Sequence, residues 1–301
     1  MEINKGKTLL VVGNVTEMEF SGFILEEENL HKKGSGTLTL TGTNTNTGTL
    51  TVDEGGLTLD QAGTNTGTVL HDDSNLTLNA GAITVSDTSE TVYQFTYNGG
   101  TVTGQIISTA GYSYFVDTGL TTTIASILYG DVGLTKTGNG TLVLTQTNTY
   151  TGTTTISAGT LKIDGAGVLE NGSYDGTIVN SGTFIYSSTT DQTLAGVISG
   201  SGALTKEENS TLTLTNTNTY EGLTTVTAGT LTLDQASSTT GMVIKDTSAV
   251  TVNGGILNLA DNTETIGALT LTAGSITGAS KTLTGSSYTL NPGDGVSVSI
   301  Q

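Results

Sequence analysis

Apolar and polar residues alternate with period two along almost the whole chain, as in Thr37-Leu38-Thr39-Leu40, Asn75-Leu76-Thr77-Leu78, Ala249-Val250-Thr251-Val252 and Ile256-Leu257-Asn258-Leu259. Successive side chains of a strand point to opposite faces, so these runs predict short strands with one buried and one wet face. Glycine-rich breaks separate them: Gly34-Ser35-Gly36, Asn98-Gly99-Gly100, Gly138-Asn139-Gly140, Gly200-Ser201-Gly202 and Asn253-Gly254-Gly255. Such clusters predict tight turns. Only residues 119–129, with Ile124, Ile127 and Leu128, suit helix as well as strand, and their place in the repeat described next favours strand.

The alternation recurs as one unit in three gap-free copies, residues 20–59, 124–163 and 194–233. Leu38-Thr39-Leu40-Thr41 aligns with Leu142-Val143-Leu144-Thr145 and Leu212-Thr213-Leu214-Thr215, and Asn46-Thr47-Gly48 aligns with Tyr150-Thr151-Gly152 and Tyr220-Glu221-Gly222. A unit too small to bury its own apolar face must stack on its neighbours. Variable spacers between the copies fit added coils better than the closing hairpins of a sandwich. The expected fold is therefore all-β: one continuous parallel β-solenoid over residues 1–301, with roughly 12 to 15 coils of about 20 to 25 residues. Threonines repeated at one place per coil are expected to form outward ladders over a Leu, Val and Ile core.

Composition sharpens this reading. Apolar residues make up only 34% of the chain and the net charge is -18, values that lean toward disorder. The polar residue in excess is threonine, however, a β-branched strand former. Cysteine is absent, which removes disulfides and thiolate metal sites. The nine basic residues are all lysines. Without guanidinium forks and with an acidic balance, nucleic acid and anionic membranes are poor partners. Lys5 and Lys7 precede Leu9-Leu10-Val11-Val12, a stretch too short for a signal peptide and read as a strand.

The run Leu134-Thr135-Lys136-Thr137-Gly138-Asn139-Gly140-Thr141-Leu142, followed by Asn148-Thr149-Tyr150-Thr151-Gly152 and Ala158-Gly159-Thr160-Leu161, resembles the passenger-associated strand repeat of bacterial autotransporters. Leu204-Thr205-Lys206, Asn218-Thr219-Tyr220 and Ala228-Gly229-Thr230-Leu231 repeat the likeness. In the first copy Asn46 replaces the tyrosine, and Glu54-Gly55-Gly56-Leu57 replaces Ala-Gly-Thr-Leu. The resemblance implies a right-handed β-helix displayed outside a Gram-negative cell, in a family made up mostly of adhesins, self-association factors and stalks. That family's C-terminal membrane barrel is not found among these 301 residues.

No residue set commits the chain to catalysis, and no cofactor is expected. His71 beside Asp72 and Asp73 is the only acid pair adjoining a histidine, and it falls between strand runs, where Asp serves as a turn former. His31, at the position of Thr135 and Thr205, is expected to face solvent. Acidic residues gather where the copies disagree, at Glu26, Glu27 and Glu28 and at Glu207 and Glu208, so charge is expected in turns and not in strands. Glu26 to Glu28 form the candidate cation site, with a solvated loop as the plainer reading. Tyr93, Tyr97, Tyr112, Tyr114 and Tyr129 could present a sugar-stacking patch. The expected function is a non-catalytic, surface-displayed adhesive solenoid whose partners are a like copy or surface glycans and proteins. Two alternatives stand beside it: a filament joined through the open strands 9–12 and 296–300, and a polysaccharide-active enzyme using Asp72 and Asp73.

Overall fold

The structure is a computed structural model that describes residues 8–12, 17–21, 24, 28–60, 69–86, 89–235, 242–260, 262–278, 281–291 and 298–300. It is all-β, with parallel strands stacked as a β-solenoid of about 13 turns. One 3-10 turn, Glu170–Gly172, is the sole helical element among the described residues. Of residues 119–129, only Thr121–Ile124 forms a strand.

The chain divides into two compact units, residues 1–116 with 126–135, and 117–125 with 136–301. In the first, one sheet stacks Thr8–Val12, Asn29–Lys33, Thr49–Val52, Asn75–Leu78, Glu90–Tyr97 and Ile106–Phe115 in chain order. A second sheet stacks Glu17–Phe20, Thr37–Leu40, Gly56–Leu59, Ala82–Val85 and Thr101–Thr103. In the second unit a 14-stranded sheet runs from Thr121–Ile124 through Thr141–Leu144, Thr160–Gly165 and Thr183–Ser188 to Ala203–Lys206 and beyond.

Register explains the alternation. Leu38 pairs with Leu57 and Leu57 with Ile83, while Leu40 pairs with Leu59 and Leu59 with Val85. All six are 5% exposed or less. In the second unit Leu212 pairs with Leu231 and Leu231 with Leu257. Each buried leucine contributes roughly 1.5 to 3 kcal/mol relative to an exposed one, so these inner ladders dominate the stability. A one-residue slip would turn a whole ladder outward, which fixes the register.

The corners between strands are built by glycine. Gly34, Gly55, Gly81 and Gly100 all have positive φ. A Cβ on Gly55 would lie 2.3 Å from the Gly34 carbonyl oxygen, one on Gly81 2.3 Å from that of Gly55, and one on Gly100 2.5 Å from that of Gly81. No side chain fits between stacked corners, and only glycine takes the left-handed turn without strain.

Charge is not confined to turns, contrary to the sequence expectation. Lys32, Lys136, Lys206, Glu90 and Glu264 all lie in strands and are 2% exposed or less. The tight corners aim backbone carbonyls and N–H groups inward, and a buried backbone polar group needs a partner. These side chains supply it.

Candidate functional site

Two kinds of polar group recur coil after coil: those that close corners from inside and those that face outward. Inside, the Lys136 Nζ donates to the carbonyls of Thr137 (2.7 Å), Gly138 (2.8 Å) and Ala158 (3.4 Å). Lys32 does the same toward Lys33 (3.0 Å), Gly34 (2.7 Å) and Glu54 (3.2 Å). Lys206 donates to Glu207 and to Glu208 (2.7 Å), and its ammonium sits 5.8 Å from the Tyr186 ring centre. Burial pushes Lys136 and Lys206 down to about 8, with Glu208, Asp191 and Glu207 opposing the shift at Lys206.

A buried asparagine follows in each copy. Asn44 Nδ2 donates to the Gly42 and Val69 carbonyls, Asn148 Nδ2 to those of Gln146 and Val168, and Asn218 Nδ2 to those of Asn216 and Val243. Its Oδ1 accepts the Ile24 amide at 2.9 Å in the first copy and the Ile198 amide at 2.7 Å in the third. The repeat tyrosines are wholly buried. Tyr150 shares a hydrogen bond of 2.8 Å with Thr154, whose hydroxyl also meets Tyr174 at 2.8 Å, and Tyr220 meets Thr224 at 2.6 Å. Burial raises Tyr174 to about 12 and pushes Tyr150 and Tyr220 up as well.

A third inner position was not recognised in the sequence. Glu90 accepts the amides of Val69 (3.0 Å) and Leu70 (2.7 Å), and Glu264 those of Val243 (3.0 Å) and Ile244 (2.6 Å). In the middle copy Gln192 takes this place: its Oε1 accepts the Leu169 amide at 2.8 Å, and its Nε2 donates to the Leu169 and Thr193 carbonyls. The signal was available. Leu57-Thr58-Leu59-Asp60-Gln61-Ala62 is repeated letter for letter at Leu231-Thr232-Leu233-Asp234-Gln235-Ala236, and the same register carries Glu90 onto Glu264.

Outward, threonines form the expected ladders. Thr205 pairs with Thr225, Thr225 with Thr251, Thr251 with Thr270, and Thr270 with Thr289. Parallel strands place successive members about 4.8 Å apart. In the first unit Thr39, Thr58, Thr84 and Thr103 make a similar column. On the first unit's other sheet His31 is half-buried: its Nε2 stands 2.5 Å from Asp53 Oδ2, with Lys33 Nζ at 3.4 Å. Asn79 donates to Asp53 and Asn98 to Asn79, each at 2.7 Å. The hydrogen bonds from Asn79, His31 and Lys33 hold the Asp53 carboxyl below the usual range against the effect of burial. A recess of about 260 Å³ lies alongside, lined by Thr8, Asn29, Leu30, His31, Thr49 and Thr51. His31 thus sits on the outer face, where its ring nitrogen is hydrogen-bonded to the Asp53 carboxyl.

Other candidate residues fare differently. His71, Asp72 and Asp73 occupy a surface turn, with His71 Nδ1 at 3.7 Å from Asp73 Oδ2. Glu26 and Glu27 fall outside the described residues, and Glu28 is 2% exposed, which is not the solvated acid expected. Among the described residues no group of three or more His, Asp or Glu side chains is placed to hold a metal ion. The tyrosine patch is corrected: Tyr97, Tyr112 and Tyr114 are core residues, and Tyr114 stacks edge-on against Phe95 with ring centres 6.0 Å apart. Aromatic area buried between coils stabilises more than area left in water, and only Tyr93 of the group is largely exposed.

Stacked parallel coils, lysine-closed corners and outward threonine columns define a β-helical domain similar to those of autotransporter passengers. The passenger-associated-transport-repeat family matches residues 30–59, 134–163, 204–233 and 228–259. The first three matches end on the same residues as the units read from the sequence, and the fourth is an additional copy. Over 114 residues, 38% of this chain, the sequence is 40% identical to the Adhesin BmaC autotransporter of Brucella suis biovar 1 (strain 1330). That stretch spans 3% of the length of the Brucella protein. No solved structure matches the chain.

Proposed function

We propose that this domain is a non-catalytic adhesive scaffold displayed on the surface of a Gram-negative cell, where it mediates adhesion or self-association. The column Thr205, Thr225, Thr251, Thr270 and Thr289 carries the reading. It presents one hydroxyl per coil at a fixed repeat, so each contact is weak and many act together. Similarity to a protein named as an adhesin supports the same assignment. The test is to display the domain on a non-adherent bacterium and measure settling and binding to host cells, beside a variant with Thr225, Thr251 and Thr270 replaced by glutamate. Adhesion that the glutamates abolish supports the proposal. Adhesion indistinguishable from undisplayed cells, or release of sugars from a polysaccharide, sinks it.

One observation favours end-to-end assembly as a second reading. Among the described residues Thr8–Val12 pairs with Asn29–Lys33 alone, and its Leu10 and Val12 are 54% and 61% exposed. An unpaired strand edge is a template for another chain. Electron microscopy of the purified protein separates filaments from single particles.

A further inference from the structure

The three copies agree on the lysine that closes the corner from inside and disagree on the residues that stand outside it. Lys33 and Asp53 of the first copy are Thr137 and Ser157 in the second and Glu207 and Thr227 in the third, and His31 is a threonine in both. The scaffold therefore does not dictate this outer row. Lys32 pairs with Val52, Val52 with Leu78 and Leu78 with Tyr97. All four are buried, so the residues that follow them, Lys33, Asp53, Asn79 and Asn98, form one outward column. Tyr97 pairs in turn with the buried Tyr114, which sets Phe115, 41% exposed, next after Asn98. In the second copy the coil above Ser157 places only Ser181 where the first has Asn79.

The row has a direction. Asn98 Nδ2 donates to Asn79 Oδ1, and Asn79 Nδ2 donates to Asp53 Oδ1, each at 2.7 Å. An ionised carboxylate only accepts, so Asp53 turns the N–H of each amide toward itself and the carbonyl oxygen away. Its other oxygen meets His31 at 2.5 Å and Lys33 at 3.4 Å, which balances its charge within the row. At the far end, among the described residues, Asn98 Oδ1 has no partner and its Nδ2 has used one of two protons. A fixed acceptor and a fixed donor thus stand in water beside an exposed aromatic ring.

We propose that Asn98 and Phe115 form a subsite for one ring of a neutral oligosaccharide. The Phe115 ring covers the apolar C–H face of the sugar, as aromatic side chains do, while the Asn98 amide donates to one hydroxyl and accepts from its neighbour. Asp53 and Asn79 are positioning residues that hold the amide in that sense. Successive coils lie about 4.8 Å apart, so the column offers further polar groups over roughly 14 Å from Phe115 back to Asp53, along which a linear sugar chain can lie. A neutral ligand is favoured because the row is charge-balanced and the chain as a whole, at -18, repels polyanions. The site names a ligand class for the adhesive reading and depends on that reading only for its biological use.

The test is to screen the purified full chain against an immobilised panel of neutral and acidic oligosaccharides and to titrate the best neutral binder in solution. Phe115→Ala should weaken binding about tenfold and Asn98→Ala about fivefold. Leu120→Ala, which trims another exposed apolar side chain, should leave it unchanged. The proposal is overturned if no neutral oligosaccharide binds, if both variants bind as the unmodified chain does, or if only acidic sugars bind and Lys33→Ala abolishes that binding. Should either variant fail to fold, NMR of the unmodified chain decides: shifts of the Phe115 ring and the Asn98 side-chain amide on adding the neutral binder support the site, and shifts confined to other residues refute it. Sugar binding by the purified chain without adhesion by the displaying cells supports this site and counts against the adhesive reading alone.

Discussion

The Lys136 ammonium reaches the Ala158 carbonyl, 22 residues further on, while also holding Thr137 and Gly138 of its own corner. One side chain thereby ties two coils through backbone oxygens. Lys136→Met keeps the length of the side chain and removes the donor, leaving those carbonyls unpaired. Hydrogen bonds to charged groups are worth about 1.5 to 3 kcal/mol, so urea unfolding should show a loss on the order of 2 kcal/mol. Lys162→Met serves as comparison. Lys162 meets Asp164 at 3.5 Å and Glu207 at 3.6 Å near the surface, where such pairs contribute about 0 to 1 kcal/mol.

The corner glycines give a sharper contrast. Gly159 has φ +66, and a Cβ there would meet the Gly140 carbonyl oxygen at 2.4 Å and that of Gly138 at 2.6 Å. Gly165 has φ +61 with nothing within 4 Å. Gly165→Ala should cost about 1 kcal/mol for its left-handed backbone alone. Gly159→Ala adds a clash with backbone on the neighbouring coil and should cost at least 2 kcal/mol more, on the order of other overpacking changes. Equal thermal midpoints for the two variants would contradict this account of the corners.

Thr154 serves two buried tyrosines, Tyr150 and Tyr174, whereas Thr224 serves Tyr220 alone. A valine of the same shape keeps the packing and deletes the hydroxyl. Each buried group left unpaired costs about 1 to 3 kcal/mol. Thr154→Val should therefore destabilise more than Thr224→Val, by about 1 kcal/mol, because Tyr174 keeps a second bond to the Gly152 carbonyl. Paired denaturation curves measure the difference directly.

Much of the fold was legible because parity in a strand is enforced by the pleat: Leu38 and Leu40 point one way and Thr39 the other, whatever surrounds them. The inner polar groups obey the same parity, and there polarity misled the reading. In Leu134-Thr135-Lys136 and Leu204-Thr205-Lys206 the lysine falls on the leucine side, and Tyr97 falls on the side of Phe95. Charge suggested solvent, yet position decided burial, since the corner carbonyls offered each ammonium a set of acceptors that no strand pattern displays. The His31–Asp53 pair was hidden for another reason: its partners lie 22 residues apart and meet only once the coil register is known.

Alkaline titration offers a last check. Burial lowers Lys136 and Lys206 to about 8 from an ordinary 10.5. Between those values the unfolded chain keeps protons that the folded chain has released, so these two residues make stability rise with pH across that window. Replacing both with methionine should reduce the rise, with Lys32, whose pKa burial also lowers, supplying what remains, as followed by urea midpoints from pH 8 to pH 10.5.

The asparagine bonds bear on how the chain can be assembled. Asn44, Asn148 and Asn218 each donate to a carbonyl that is synthesised 20 to 25 residues later. No coil holds all of its own partners, so the newest turn of a growing stack is always short of acceptors until the next one is laid on it. Such a molecule lengthens or shortens cleanly only by whole turns, and a chain cut within residues 219–242 would leave Asn218 without its Val243 acceptor and undo the coil before the cut as well.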